Sequence, residues 1–314
     1  MQPQLKDVSV LGHGGFRRLA YAEWGSPHAA RTIVCVHGVS RTGRDFDVLA
    51  KALVEQGARV IAPDLPGRGR SEWLASAAHY TDRAYTSAMA ALIARLDVER
   101  LDWIGTSLGG HIGMMLAAEQ ATPIGRLVLN DFGARLSASA LRRIGGYLTR
   151  SWKFESIDEL ELHLRDALAP FGRLSDAQWR DLSLHSAVPD PSGGLRFHFD
   201  PAIGTRFAIP IWLDIVLWAL WDKIECPVLI LRGEDSDLLS SDTVDLMLRR
   251  GAAAQAGRVT AIEFAGCGHA PALLDVEQVG AIQNFLFPDG PKARDRTTVP
   301  TRLHAGRRPQ ASAP

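Results

Sequence analysis

The sequence predicts a doubly wound α/β fold with a mostly parallel sheet. Short apolar runs bounded by Gly, Pro and Asp alternate with longer segments of helical spacing, the pattern of successive βαβ units. Runs such as Ile33-Val34-Cys35-Val36 and Val228-Leu229-Ile230-Leu231 lack polar alternation, as strands covered on both faces do. One long stretch in the middle of the chain breaks this rhythm.

The strand candidates run, in order, over 18–24, 32–37, 59–64, 101–106, 126–130, 228–232 and 259–264. Between them, 46–56, 80–96, 108–119, 243–250 and 276–287 have the length and spacing of covering helices. The interval from Gly133 to Asp222 is mostly helical in pattern and rich in Trp, and reads as a cap inserted after the strand ending near Asn130. The expected organisation is therefore a first core part at 1–132, a cap at 133–222, a second core part at 223–288 and a tail at 289–314. The tail carries Pro, Arg, Thr and Ala with hardly an apolar residue, too little to offset its ordering entropy, so disorder is expected there.

Composition narrows the function classes. The 314 residues are 46% hydrophobic and 22% charged, as in an ordinary globular protein. With 35 basic and 35 acidic residues there is no net field to draw the chain onto nucleic acid or an anionic membrane, so a small-molecule partner is expected. The stretch from Ile209 to Trp221 is broken by Pro210 and Asp214 and falls short of the ~20 residues of a membrane-spanning helix. The start lacks the apolar run of a secretory signal, and Cys35, Cys226 and Cys267 are odd in number without metal spacing; both point to the cytoplasm and reduced thiols. The sequence leaves the oligomeric state open.

The sharpest motif is Gly105-Thr106-Ser107-Leu108-Gly109, between an apolar strand and a helix. At a tight strand-to-helix turn a serine is forced to project its hydroxyl from the sheet, and glycines two residues to either side remove side chains that would collide. The following helix aims its positive N-terminus at a developing oxyanion. His269, in Gly266-Cys267-Gly268-His269-Ala270-Pro271, follows the last strand and so lies at the same sheet edge as Ser107, where open α/β sheets place their sites. An imidazole with an unperturbed pKa near ~6.5 can take the serine proton and return it to a leaving group.

These segments, with His37-Gly38-Val39 after the second strand of the pattern and Asp64-Leu65-Pro66-Gly67-Arg68-Gly69-Arg70-Ser71 after the next, fall in the order of the α/β-hydrolase family, which the chain resembles over about residues 8 to 287. The resemblance implies Ser107 as nucleophile, His269 as general base and the backbone amides of Val39 and Leu108 as oxyanion donors. It implies a structural turn for residues 64–71 and a loop-holding role for His37. Most family members carry the acid three or four residues past the glycine of the loop after the strand ending near Arg232, which selects Asp237. Asp131, after the preceding strand, is the alternative. Glu234 and Asp235 read as loop or helix-capping residues.

For substrate contact the candidates are Arg41, which could meet a carboxylate, and cap residues Trp152, Trp212 and Trp218, which with Trp179 and Trp221 supply aromatic area for an apolar pocket or for the cap's own core. No metal-ligand spacing and no phosphate or dinucleotide loop occurs, so neither metal nor cofactor is expected. The implied activity is hydrolysis of a carboxylic ester, lactone or thioester of a small, largely apolar substrate through an acyl-enzyme. A C–C bond hydrolase of a ring-cleavage product and a cofactor-free perhydrolase use the same triad. A serine at the elbow argues against dehalogenase or epoxide hydrolase chemistry, which uses a carboxylate there. The reading from another class is a non-catalytic ligand-binding protein on a hydrolase scaffold.

Overall fold

A computed structural model describes residues 1–207 and 211–288, together with a short strand at Leu303–Ala305. The main sheet contains β1 (Gln4–Gly12), β2 (Gly15–Trp24), β3 (Thr32–Val36), β4 (Arg59–Pro63), β5 (Leu101–Thr106), β6 (Ile124–Asn130), β7 (Val228–Gly233) and β8 (Val259–Phe264). Their order is β1-β2-β4-β3-β5-β6-β7-β8, with Leu303–Ala305 antiparallel to β8. From β4 to β8 every pairing is parallel, whereas β1 and β2 form an antiparallel edge hairpin. The rest of the expected tail at 289–314 lies outside the described residues.

Side chains alternate across the strands and feed two cores, as a sheet with side-chain period two requires. Val34, Val36, Trp103, Leu127 and Leu129 face the cluster shared with α2 (Asp82–Leu96) and α3 (Leu108–Ala117). Ile33, Cys35, Ile104, Val128 and Leu231 face the cluster shared with α1 (Asp47–Glu55) and the helix Val276–Leu286. The central strands are therefore buried on both faces, which is why their sequences read as unbroken apolar runs. Unlike these, β1 is mostly exposed and mixes polar with apolar residues, and sequence periodicity gave no strand there.

Between β6 and β7 lies the inserted segment. It holds α4 (Ala138–Leu148), α5 (Ile157–Ala167) and α6 (Asp176–Ser186), a small hairpin of Ala187–Pro189 with Leu195–Phe197, a two-residue pairing of Arg135–Leu136 with Ile215–Val216 and a 3₁₀ stretch at Pro201–Phe207. Ser137, Ser156 and Ser175 open the three helices, each side chain accepting a backbone N–H of the first turn. Ser175 and Gln178 complete a reciprocal capping box. Among the described residues no helix is long and apolar enough to cross a membrane.

Candidate active site

The turn from β5 into α3 sets the position of Ser107. Its backbone sits at φ 52° and ψ −113°, a conformation that costs a non-glycine residue roughly 1–3 kcal/mol and survives only where its surroundings over-determine it. They do so here by close packing. A Cβ on Gly105 would lie 2.2 Å from the Gly109 carbonyl oxygen, and one on Gly109 would lie 1.9 Å from that of Val36. With glycine at both places α3 descends against β3 and β5, and the Ser107 N–H donates to the Asn130 carbonyl at 3.0 Å.

His269 approaches from the loop after β8. Gly233 permits this approach, since a Cβ there would fall 2.3 Å from the Gly268 carbonyl oxygen. Asn130 ties the strand ends to the loop, its amide donating to Thr106 Oγ1 at 3.0 Å and to the Pro271 carbonyl at 2.9 Å. The imidazole Nε2 lies 3.0 Å from Ser107 Oγ, and Nδ1 lies 2.6 Å from Asp131 Oδ2.

The carboxylate beside the histidine is thus Asp131, and the first choice from the sequence, Asp237, is corrected. Asp131 is fully buried and takes φ 52°, a left-handed conformation that Asp tolerates better than most residues. Its Oδ1 accepts from the Gly233 N–H at 3.1 Å, and its Oδ2 accepts from Ser236 Oγ at 2.6 Å as well as from His269. The loop after β7 therefore sends Ser236 inward and leaves Asp237 outside, where Arg143 of α4 holds it through two 2.8 Å hydrogen bonds. Burial raises the Asp237 pKa, but the Arg143 bonds and charge outweigh it and the net shift is downward.

The loop after β3 carries Val39. His37 braces it: Nδ1 donates to the Gly38 carbonyl at 2.7 Å while Nε2 accepts from the Leu65 N–H at 2.9 Å. Burial holds the His37 pKa well below its ordinary value, so the ring stays neutral in this tautomer. Arg68 braces it too, a residue to which sequence reasoning gave only turn geometry. Its guanidinium is wholly buried, donates from Nε to the Val39 carbonyl at 2.9 Å, and reaches the Pro66 carbonyl and the Tyr85 hydroxyl from Nη1, both at 2.7 Å. No carboxylate pairs with it among the described residues. The 64–71 turn has the structural character expected of it, with Asp64 accepting from the Gly43 and Arg70 amides at 2.9 Å each.

Residues 33–281 match the model of the alpha/beta hydrolase family. The chain belongs to that family. It is 42% identical over 292 residues to the 3-hydroxybutyrate-oligomer hydrolase of Cupriavidus necator, covering 90% of this chain and 98% of that one. Lipase LipV of Mycobacterium tuberculosis is 36% identical over 118 residues, or 38% of this chain and 43% of the lipase. A putative hydrolase from Rickettsia typhi superposes with a TM-score of 0.84 at 29% identity, covering 92% of this chain and 100% of that one. An alpha/beta hydrolase from Novosphingobium aromaticivorans gives 0.78 at 30% identity over 90% and 98%. The protein is a hydrolase of the carboxylesterase type.

Two compartments of the hydrolase meet at Ser107. The wider, about 530 Å³, is lined by His269, Arg41, Tyr147 and Trp152 and edged by Arg142, Arg143 and Arg150. The narrower, about 300 Å³, is walled by apolar residues such as Phe132, Leu141, Ile203 and Leu238, with Leu108 at its base. Val39 and Ile144 border both. Of the expected contact residues, Arg41 and Trp152 line the wider compartment, but Arg41 already spends Nε and Nη2 on Asp45, at 2.8 and 2.7 Å, and Nη1 on Ser186, at 2.9 Å. Trp212 and Trp218 line neither compartment, a second correction. Trp212 is 81% exposed, and Trp218 turns to the Arg250 guanidinium, 4.8 Å from its ring centroid. Trp179 packs with Leu182 and Leu274, and Trp221 is buried with its Nε1 donating to the Arg250 carbonyl. Among the described residues no group of three or more His, Cys, Asp or Glu is placed to hold a metal ion.

Proposed function

We propose that this hydrolase cleaves short linear 3-hydroxyalkanoate oligoesters, 3-hydroxybutyrate oligomers among them, through an acyl-enzyme on Ser107. The observation that carries the mechanism is the unbroken chain Asp131 Oδ2–His269 Nδ1–His269 Nε2–Ser107 Oγ, with steps of 2.6 and 3.0 Å. Asp131 takes the Nδ1–H bond, which leaves Nε2 bare to accept the serine proton, and the buried carboxylate stabilises the imidazolium that forms. The Val39 and Leu108 amides donate to the oxyanion, each worth about 3 kcal/mol of transition-state stabilisation in comparable sites. The substrate class is supported by the likeness to the C. necator enzyme, which extends over 98% of that protein.

The test compares p-nitrophenyl esters from acetate to decanoate with the linear dimer and trimer of (R)-3-hydroxybutyrate. Short p-nitrophenyl esters and both oligomers should be cleaved, and Ser107→Ala should lower turnover by about 10⁶. Ester cleavage with intact oligomers would sink the substrate class alone. Failure of a serine-directed phosphonate to label the active protein would sink the acyl-enzyme.

A further inference from the structure

We propose that the wider compartment is a carboxylate subsite, in which Arg142 and Arg150 hold the free-acid end of an oligoester so that its terminal hydroxy acid is the leaving group. This rests on the oligoester reading above and goes beyond it by fixing the end from which the chain is cut.

The proton donor decides where the leaving group must sit. His269 has to protonate the departing oxygen, and His269 lines the wider compartment and not the narrower one, while Leu108, with its oxyanion amide, lines only the narrower. The alcohol side of the ester therefore lies in the wider compartment and the acyl side points into the apolar one. In a hydroxyalkanoate oligomer the alcohol side of the last ester bond is the unit that carries the free carboxylate.

The charge distribution points to the same compartment. A chain with no net charge concentrates four arginines on this one compartment, Arg41, Arg142, Arg143 and Arg150, against a single lining carboxylate, Asp166. Asp45 neutralises Arg41 and Asp237 neutralises Arg143. Arg142 and Arg150 have no carboxylate partner among the described residues: Arg142 donates to the Ile211 carbonyl, and Arg150 lies over the Trp152 ring at 5.8 Å. Both are exposed at the mouth, where a guanidinium fork meets a carboxylate without prior desolvation. The narrower compartment is walled mainly by apolar side chains, and its one guanidinium, Arg68, already donates to the Val39 and Pro66 carbonyls and to the Tyr85 hydroxyl.

The steps balance. Ser107 Oγ adds to the last ester carbonyl and its proton passes to His269 Nε2. The C–O bond to the terminal unit breaks, and that proton moves to the departing alkoxide, releasing one 3-hydroxyalkanoate. Water then cleaves the acyl-serine and frees the shortened oligomer with a new carboxylate end.

The experiment measures kcat/KM for the linear (R)-3-hydroxybutyrate trimer as free acid and as methyl ester, in wild type, Arg142→Gln, Arg150→Gln and the double variant. The expected wild-type preference for the free acid is about tenfold, the size of one charge-assisted contact. It should fall toward unity in the double variant and shrink in 0.5 M salt, chosen to give a Debye length well below ~10 Å. A ratio near one in wild type, or a preference unchanged in the double variant, overturns the proposal while leaving oligoester hydrolysis intact. If neither trimer is cleaved, the oligoester reading fails. The subsite is then read separately by inhibition of p-nitrophenyl butyrate hydrolysis: 3-hydroxybutyrate should inhibit more strongly than its methyl ester, and equal inhibition overturns the subsite as well.

Discussion

Asp131 and Asp237 follow neighbouring strands that end at the same sheet edge, yet they belong to two differently built regions. Asp131 is part of a floor in which both of its carboxylate oxygens have partners and glycines let backbones meet. Asp237 stands at the rim, 44% exposed, and pairs with a cap arginine that is itself half exposed. The difference separates groups fixed by burial from groups placed to meet solvent and substrate, and it can be tested directly. Asp131→Asn should lower kcat by about 10⁴, as loss of the tautomer-fixing carboxylate does in comparable triads. Asp237→Asn should cost less than about threefold, because an exposed ion pair is worth little. Steady-state kinetics on p-nitrophenyl butyrate decides, and equal losses would erase the distinction between floor and rim.

Arg68 extends the floor beneath the oxyanion loop. A buried guanidinium without a carboxylate is costly, and what it holds is the Val39 carbonyl, next to the amide assigned to the oxyanion. Arg68→Met should lower kcat by roughly 100-fold with little change in KM, the signature of a contact felt in the transition state. Arg68→Lys should not rescue it, since one ammonium cannot span the Val39 and Pro66 carbonyls and the Tyr85 hydroxyl together. A parallel rise in KM would instead mark a collapsed pocket.

Beside this loop, burial, with the Arg41 charge, pulls the His198 pKa down to about 3. In the unfolded chain the same ring titrates near ~6.5, so below that pH the unfolded state binds more protons. The stability present above about pH 6.5 is therefore lost progressively as pH falls toward 3. Between pH 7.5 and 5 this one group should cost about 2 kcal/mol and lower the melting midpoint by roughly 5 °C. Replacing His198 with Gln should flatten that slope, and an unchanged slope would assign it to other groups.

The floor was largely legible in the sequence because its geometry is dictated by backbone rules. Glycines at 105 and 109 can only mean close approach, and a histidine on a loop after the last strand must emerge at the edge where Ser107 does. Hence the structure brings Ser107 and His269 within 3.0 Å. The choice between Asp131 and Asp237 was not legible, since it turns on which of two adjacent side chains, Ser236 or Asp237, the loop after β7 directs inward. The usable signal was the pair Asn130-Asp131 at a strand end, where a polar residue that tolerates positive φ is well suited. The edge strand β1 escaped because solvent on its flanks removes the apolar run that marks a central strand. In the cap, patterning gave a mostly helical segment but not which tryptophan faces the cavity, because that depends on how α4, α5 and the short strand pairs pack against each other.

The smallest effect separates two of those tryptophans. Trp152 is held by its Nε1 donating to the Tyr147 carbonyl at 3.3 Å and by the His163 ring at 4.1 Å, so it presents a fixed face to the wider compartment. Trp212, in the same segment, is 81% exposed and lines neither compartment. Trp152→Ala should open the wall on the leaving-group side and raise KM for the 3-hydroxybutyrate trimer about fivefold, roughly 1 kcal/mol of lost aromatic contact, while kcat is nearly kept. Trp212→Ala should leave both constants unchanged. An equal response of the two variants would mean that the cap folds over the site during turnover and brings Trp212 into it, whereas the expected split fixes Trp152 as the cap residue that senses the leaving group.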